Sequence, residues 1–295
     1  MRYAPHDSLV APARPSRALW RVALGYLLIM LIYMGLIYSG LALAAQVMGP
    51  GPAQSAFHGI FQSTVTTRDS LLLLGSFGFL ILGTAAVTQQ LHHRPALGLF
   101  GPLPRAARDF LLTVRALALL YTVLWFVLPG GVDELQRNLE LRRWLMLLPL
   151  ALPAILIQTA AEELLFRGYL QQQLAARFAS PLVWMGLPAA IFAWGHYAPG
   201  AAGGNALGMA VWAAGFGLCA ADLTARTGTL GAAIGLHFAN NALAILIVSL
   251  PGPVSGLSLY LYPYDMAAPE LGPQMVIELA VLGVGWLATR VALRV

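Results

Sequence analysis

The chain is predicted to be an all-α, polytopic membrane bundle of about eight transmembrane helices. Hydrophobic residues make up 59% of its 295 residues and charged residues only 10%, with a mean hydropathy of +0.73, whereas a soluble globular domain carries about 25% charged residues. Several apolar windows are also long enough to cross ~30 Å of hydrocarbon at ~1.5 Å per residue. No connection between them is long enough for a separate soluble domain. The reading is therefore a cytoplasmic N-terminal segment, residues 1–19, and one integral membrane domain, residues 20–295, whose motif-bearing core is about 146–250.

Hydropathy places the spans at about 20–46, 70–90, 109–130, 146–175, 180–197, 205–223, 228–250 and 274–293. The first follows Arg14, Arg17 and Arg21, and Ala42-Leu43-Ala44 loosely resembles a signal cleavage site. Its uncharged run from Val22 to Ala45 is too long for a signal h-region, which marks an uncleaved anchor. The 91–109 connection carries His92, His93, Arg94, Pro95, Pro102 and Pro104 and reads as a cytoplasmic interface loop with a solvated histidine pair. The 251–273 connection is rich in Pro, Gly and Tyr, and its alternating Tyr260, Tyr262 and Tyr264 suit an aromatic belt or a substrate entrance. Gly231 with Gly235, and Gly215 with Gly217, fall where helices in lipid approach closely.

All 17 basic residues are arginine, the net charge is +5 and the pI is about 9.7. Nothing resembles a nucleic-acid module, so the arginines are read as setting orientation. With the N-terminus inside, Arg2, Arg14, Arg17, Arg21, Arg94, Arg105, Arg108, Arg177, Arg226, Arg290 and Arg294 fall inside, and Arg68, Arg137, Arg142 and Arg143 outside. Both termini are then cytoplasmic, in what reads as a bacterial inner membrane. A single cysteine, Cys219, excludes an internal disulfide, and a thiol in apolar surroundings yields little thiolate nucleophile.

Three constellations interrupt the apolar spans. In Glu162-Glu163-Leu164-Leu165-Phe166-Arg167, Glu163 and Arg167 are i, i+4 neighbours, while Glu162 lies roughly 100° around the helix. Phe192 and His196 share the same spacing, as do His237 and Asn241. Polar groups at membrane depth face the bundle interior and mark function. A carboxylate held away from bulk water can act as general base, a histidine can hold the attacking water, and a histidine with an amide can stabilise an oxyanion. Neither a G-x-S-x-G elbow nor an H-E-x-x-H zinc signature is present, so the expected nucleophile is water.

The order E-E-x-x-x-R, F-x-x-x-H, H-x-x-x-N resembles the CPBP family of CAAX proteases and bacteriocin-processing or immunity enzymes, which are glutamic intramembrane endopeptidases. The likeness covers mainly residues 150–250, with Leu97-Gly98-Leu99 similar to the family's lead-in. It implies Glu162 and His196 as the water-activating pair, His237 and Asn241 as the oxyanion site, and Glu163, Arg167 and Phe192 in support. It implies no cofactor and no metal, and a peptide or protein substrate at the bilayer. The substrate's identity, whether it is prenylated, and the oligomeric state are left open.

Three other functions compete with this one. Two histidines and a glutamate are common ligands of catalytic zinc, although no spacing here demands metal. Intramembrane Glu and His also relay protons in transporters, although no inverted repeat is evident. The third is a non-catalytic immunity or scaffold protein of the same fold. Hydropathy also sets a geometric condition, because Glu162 and His237 fall near mid-membrane and His196 near the outer end of its span. A single site requires the fifth span to be short and tilted, or its boundary to move by about a turn.

Overall fold

The computed structural model describes residues 3–63, 66–127 and 134–295; Arg2 and the outer end of the expected third span, 128–130, lie outside the described residues. Eight helices order the chain: α1 Leu19–Met48, α2 Thr67–His92, α3 Leu103–Val127, α4 Leu141–Glu163, α5 Gly186–Gly195, α6 Ala206–Thr227, α7 Gly231–Ala242 and α8 Leu271–Leu293. α4 runs on through a π-helical stretch, Leu164–Gln171, into a last α-helical turn at Gln172–Arg177, and α7 runs on through a π-helical stretch at Leu243–Ile247. The protein is an all-α integral membrane bundle. The one sheet among the described residues is minimal: Tyr260–Leu261 pairs antiparallel with Gln136–Arg137 and parallel with Val248–Ser249.

The eight spans are not equal. Six stretches are long and apolar enough to cross a bilayer, while Pro181–Gly195 and Gly231–Ile247 are shorter apolar helices, so eight full crossings are not confirmed. Both lie close to the expected spans 180–197 and 228–250, so it is their length and not their place that falls short. At ~1.5 Å per residue the Pro181–Gly195 stretch covers about 22 Å, too little for ~30 Å of hydrocarbon.

α1 shows how the bundle sorts its surface. Val22, Gly25, Ile29, Tyr33 and Ile37 form a buried stripe at three- and four-residue spacing, while Trp20, Leu27, Leu31 and Leu43 are exposed. Such an apolar outer face would be an aggregation surface in water and is an ordinary one in lipid. α1 packs on α2 and α2 on α4, whereas α7 packs on α3, α4 and α6, and α6 on α5 and α8. The α4–α7 contact therefore joins the two halves of the bundle.

Small residues make these approaches possible, as their spacing predicted. A Cβ on Gly231 would lie 1.9 Å from the Ala106 carbonyl oxygen of α3, and one on Gly235 would lie 2.9 Å from Thr113 Cβ. Gly217 lets α6 close on Ala189 of α5, where a Cβ would come within 2.8 Å. Close backbone packing is the main attraction between helices in lipid, where burial against water contributes nothing.

One end of the bundle is sealed by polar side chains. His92, expected in a solvated loop, is 4% exposed. Its Nδ1 accepts from Ser16 Oγ at 2.9 Å and from Gln173 Nε2 at 2.5 Å, and its Nε2 donates to the Tyr169 hydroxyl at 2.8 Å. The reason lies in the chain path: His93 caps α2 in the left-handed region (φ 54°) and points out, while the N-terminal segment folds over its neighbour. Arg94 is buried too, donating to Gln172 Oε1 at 2.7 Å and to the Leu9 carbonyl at 3.3 Å. Gln171, Gln172 and Gln173 all have 0% exposure. Gln171 reaches the Ala221 carbonyl and His6, and Gln172 reaches the Leu99 carbonyl. Tyr3 and Trp286 both donate to Asp222, and Val295 lies beside Arg226, so both ends of the chain sit at this end of the bundle. At the other end, Tyr262 and Tyr264 stack at 5.2 Å and both bond Gln274 of α8, which ties the tyrosine-rich loop to the bundle.

Two outcomes follow from this packing. Gly231→Leu should abolish monodisperse yield in detergent, whereas Gly40→Leu, with nothing within 4 Å of its Cβ position, should match wild type by fluorescence-detected gel filtration. Burial lowers the His6 pKa from 6.5 to about 4, so the undocked imidazole binds protons first. The N-terminal segment should therefore loosen as pH falls from about 6.5 towards 4, seen as faster hydrogen exchange over residues 3–16, and His6→Gln should flatten that dependence.

Candidate active site

α4 and α7 run antiparallel, and the residues at one contact recur a turn later at the next. Gln158 and Glu162 lie four apart on α4 and meet Asn241 and His237, four apart on α7. Asn241 Nδ2 donates to Gln158 Oε1 at 2.8 Å, and His237 Nε2 stands 3.5 Å from Glu162 Oε2. Next to this ladder, Glu163 Oε1 accepts from His237 Nδ1 at 2.8 Å and from Arg167 Nη1 at 2.8 Å. The i, i+4 pair expected from the sequence thus forms, and it carries a third member.

Desolvation explains the pairing. Glu163 and Arg167 are 0% and 1% exposed, and a carboxylate or guanidinium taken that far from water is tolerated only with an opposite charge and hydrogen bonds. Arg167 gains more from aromatic rings: its Cζ lies 5.8 Å from the Phe166 ring centre, 5.1 Å from Phe192 and 5.6 Å from Phe216. A guanidinium suits this cage because it is planar, weakly hydrated and attracted to ring faces. Phe216 also meets the His237 ring edge-on at 4.7 Å, and Trp212 stacks behind Phe216 at 5.7 Å.

The two glutamates differ in what is left to them. Among the described residues Oε2 is buried without a hydrogen bond in both, but Glu163 Oε1 serves Arg167 and His237, whereas the Glu162 side chain is 14% exposed and meets only His237 Nε2, at 3.5 Å. Because a carboxylate only accepts, His237 Nδ1 carries the proton it gives Glu163, and Nε2 is the nitrogen facing Glu162.

His196 ends α5. The apolar stretch that leads to it, Pro181–Gly195, is shorter than the six long apolar spans. His196 Nδ1 donates to the Phe192 carbonyl at 2.8 Å, leaving Nε2 as an acceptor. No hydrogen bond joins His196 to Glu162 among the described residues. The link is Phe192, whose ring lies 4.3 Å from the His196 ring and 6.2 Å from that of His237. The structure therefore brings Glu162, Glu163, Arg167 and His237 into direct contact, reaches Asn241 through Gln158, and sets His196 one ring away. Sequence reasoning missed Gln158 and Phe216. Gln158 had a signal, a lone amide one turn before Glu162 in an apolar run; Phe216 had none. No three of the described His, Cys, Asp and Glu side chains cluster as metal ligands. A surface hollow of about 320 Å³ lies elsewhere, between the N-terminal segment and Trp184, and holds none of these residues.

With the polar ladder placed inside a membrane bundle, comparison with known families bears on what it is. Residues 144–243 match the Rce1-like family, described as type II CAAX prenyl endopeptidase Rce1-like. That stretch contains every site residue above, and over it the chain is similar to this family. The Bacillus subtilis (strain 168) uncharacterized protein YyaK is 31% identical over 114 residues, a match covering 39% of this chain and 38% of YyaK. No solved structure matches.

Removing one member of a buried ion pair strands the other, at about 3–5 kcal/mol. Arg167→Ala should lower folded yield and thermal stability. Arg167→Lys should not restore them, since an ammonium cannot lie flat among three rings. Wild-type melting of either variant in detergent would exclude a structural role for the pair.

Proposed function

We propose that the protein is an intramembrane glutamic endopeptidase that hydrolyses a peptide bond in a membrane-associated or C-terminal-tail substrate. The observation that carries this reading is the asymmetry of the two acids: Glu163 is sealed and held by both Arg167 and His237, and its neighbour Glu162, 14% exposed, meets among the described residues only His237 Nε2, at 3.5 Å, in the same polar ladder. Glu162 takes a proton from water as the oxygen attacks the scissile carbonyl, and His196 Nε2 accepts the water's other hydrogen bond, its ring fixed by the Phe192 carbonyl. The carbonyl oxygen becomes an oxyanion held by Asn241 Nδ2 and His237 Nε2. Donation from Nε2 as well as Nδ1 requires the imidazolium, whose charge balances the two carboxylates against Arg167. Glu162 then returns its proton to the leaving amine, the carbon–nitrogen bond breaks, and the base is regenerated. Glu163, Arg167 and Phe192 hold the frame, and no cofactor or metal enters any step.

The substrate approaches through the bilayer as a peptide or protein tail, and prenylated tails are the first class to test because the matched family's description names them. The same reading places both termini in the cytoplasm of a bacterium, which the excess of arginine on that side supports.

The test is cleavage of fluorescence-quenched peptides, with and without a farnesylated cysteine, by purified protein in proteoliposomes. Glu162→Gln keeps shape and hydrogen bonding but removes basicity, so it should fold and lose cleavage. Asn241→Ala should lose about 10²–10³ in rate and keep a measurable remnant, and Cys219→Ala should be nearly silent. A Glu162→Gln protein that cleaves at the wild-type rate overturns the mechanism.

A further inference from the structure

Gln158 has no place in the mechanism above, yet it is the residue that Asn241 touches. It is 7% exposed, and its Oε1 accepts from Asn241 Nδ2 at 2.8 Å across the α4–α7 contact. A carboxamide nitrogen has two hydrogens about 120° apart. With one taken by Gln158, the torsion of the Asn241 amide is fixed and only the second hydrogen remains for a ligand. Rotating the amide by half a turn would set its carbonyl oxygen against the Gln158 carbonyl, two acceptors with no proton between them. Asn241 makes no other side-chain hydrogen bond among the described residues.

We infer that Gln158 is a positioning residue, which orients the Asn241 amide so that its free N–H faces the site of oxyanion development, and strengthens that donor by accepting from the other hydrogen. The inference rests on the endopeptidase reading. Three facts carry it: the lone amide stands in an apolar helix face, it is a turn from Glu162 as Asn241 is a turn from His237, and its carbonyl is spent on the amide assigned to the oxyanion. A buried acceptor used only for packing would not need a partner that itself has chemistry to perform. Hydrogen bonds in series also polarise one another in a low dielectric, so the effect falls on the N–H that remains.

A double-mutant cycle tests this on the peptide assay above. Gln158→Met keeps length and volume and removes the acceptor, and Gln158→Leu is run in parallel in case one of them does not fold. Each should melt close to wild type, lower kcat about tenfold, the value of one ordinary hydrogen bond, and leave KM within about twofold, because the lost interaction matters only in the transition state. Combined with Asn241→Ala, neither should lower kcat beyond Asn241→Ala alone, since Gln158 would have nothing left to orient. If the two losses multiply, or if KM rises while kcat holds, Gln158 does not act through Asn241 and the inference fails although the peptidase reading stands. If Glu162→Gln cleaves at the wild-type rate, or wild type cleaves no peptide, the reading fails and takes the inference with it.

Discussion

The Glu163 carboxylate is the constraint around which the bundle is arranged. Charge at this depth is tolerated only where several partners answer it, and the partners come from four helices. Arg167 lies on the same chain four residues on, His237 comes from α7, and Phe192 and Phe216, from α5 and α6, close over the guanidinium. A lone buried carboxylate thus fixes the relative depth of four helices, which apolar packing in lipid would specify poorly. The same constraint sets the adjacent residue apart: the short bonds from Arg167 and His237 both go to Glu163, and Glu162 is left with His237 Nε2 at 3.5 Å.

Much of this was legible in the sequence because it follows from local spacing. Glu163 with Arg167, Phe192 with His196, and Gly231 with Gly235 are all neighbours by helix geometry, and each meets the surroundings that its chemistry demands. The membrane bundle was legible from composition for the same reason. Relations between helices were not. That Glu163 rather than Glu162 bonds His237, and that Asn241 leans on Gln158, depend on the register of α4 against α7. Hydropathy averages over a window and has no access to that register.

Hydropathy located the end of α5 to within two residues, 197 against Gly195, yet had no access to the rings that His196 meets there. His92 was misread. A polar run between two spans looks like loop, and only the fold of the N-terminal segment, with Ser16 and Leu9 facing inward, turns it into core.

Both helices that bear the ladder turn π-helical just beyond it, after Glu163 in α4 and after Ala242 in α7. A π turn closes its hydrogen bonds over one residue more than an α turn does. In α4, the same residues from Leu164 to Gln171 wound as a regular α-helix would carry everything beyond them about 100° further round. Gln171, Gln172 and Gln173 would then swing away from Ala221, Leu99 and His92. The widened turn is thus a phase-setting spacer, reconciling the angular demands of the charged centre with those of the glutamine seal.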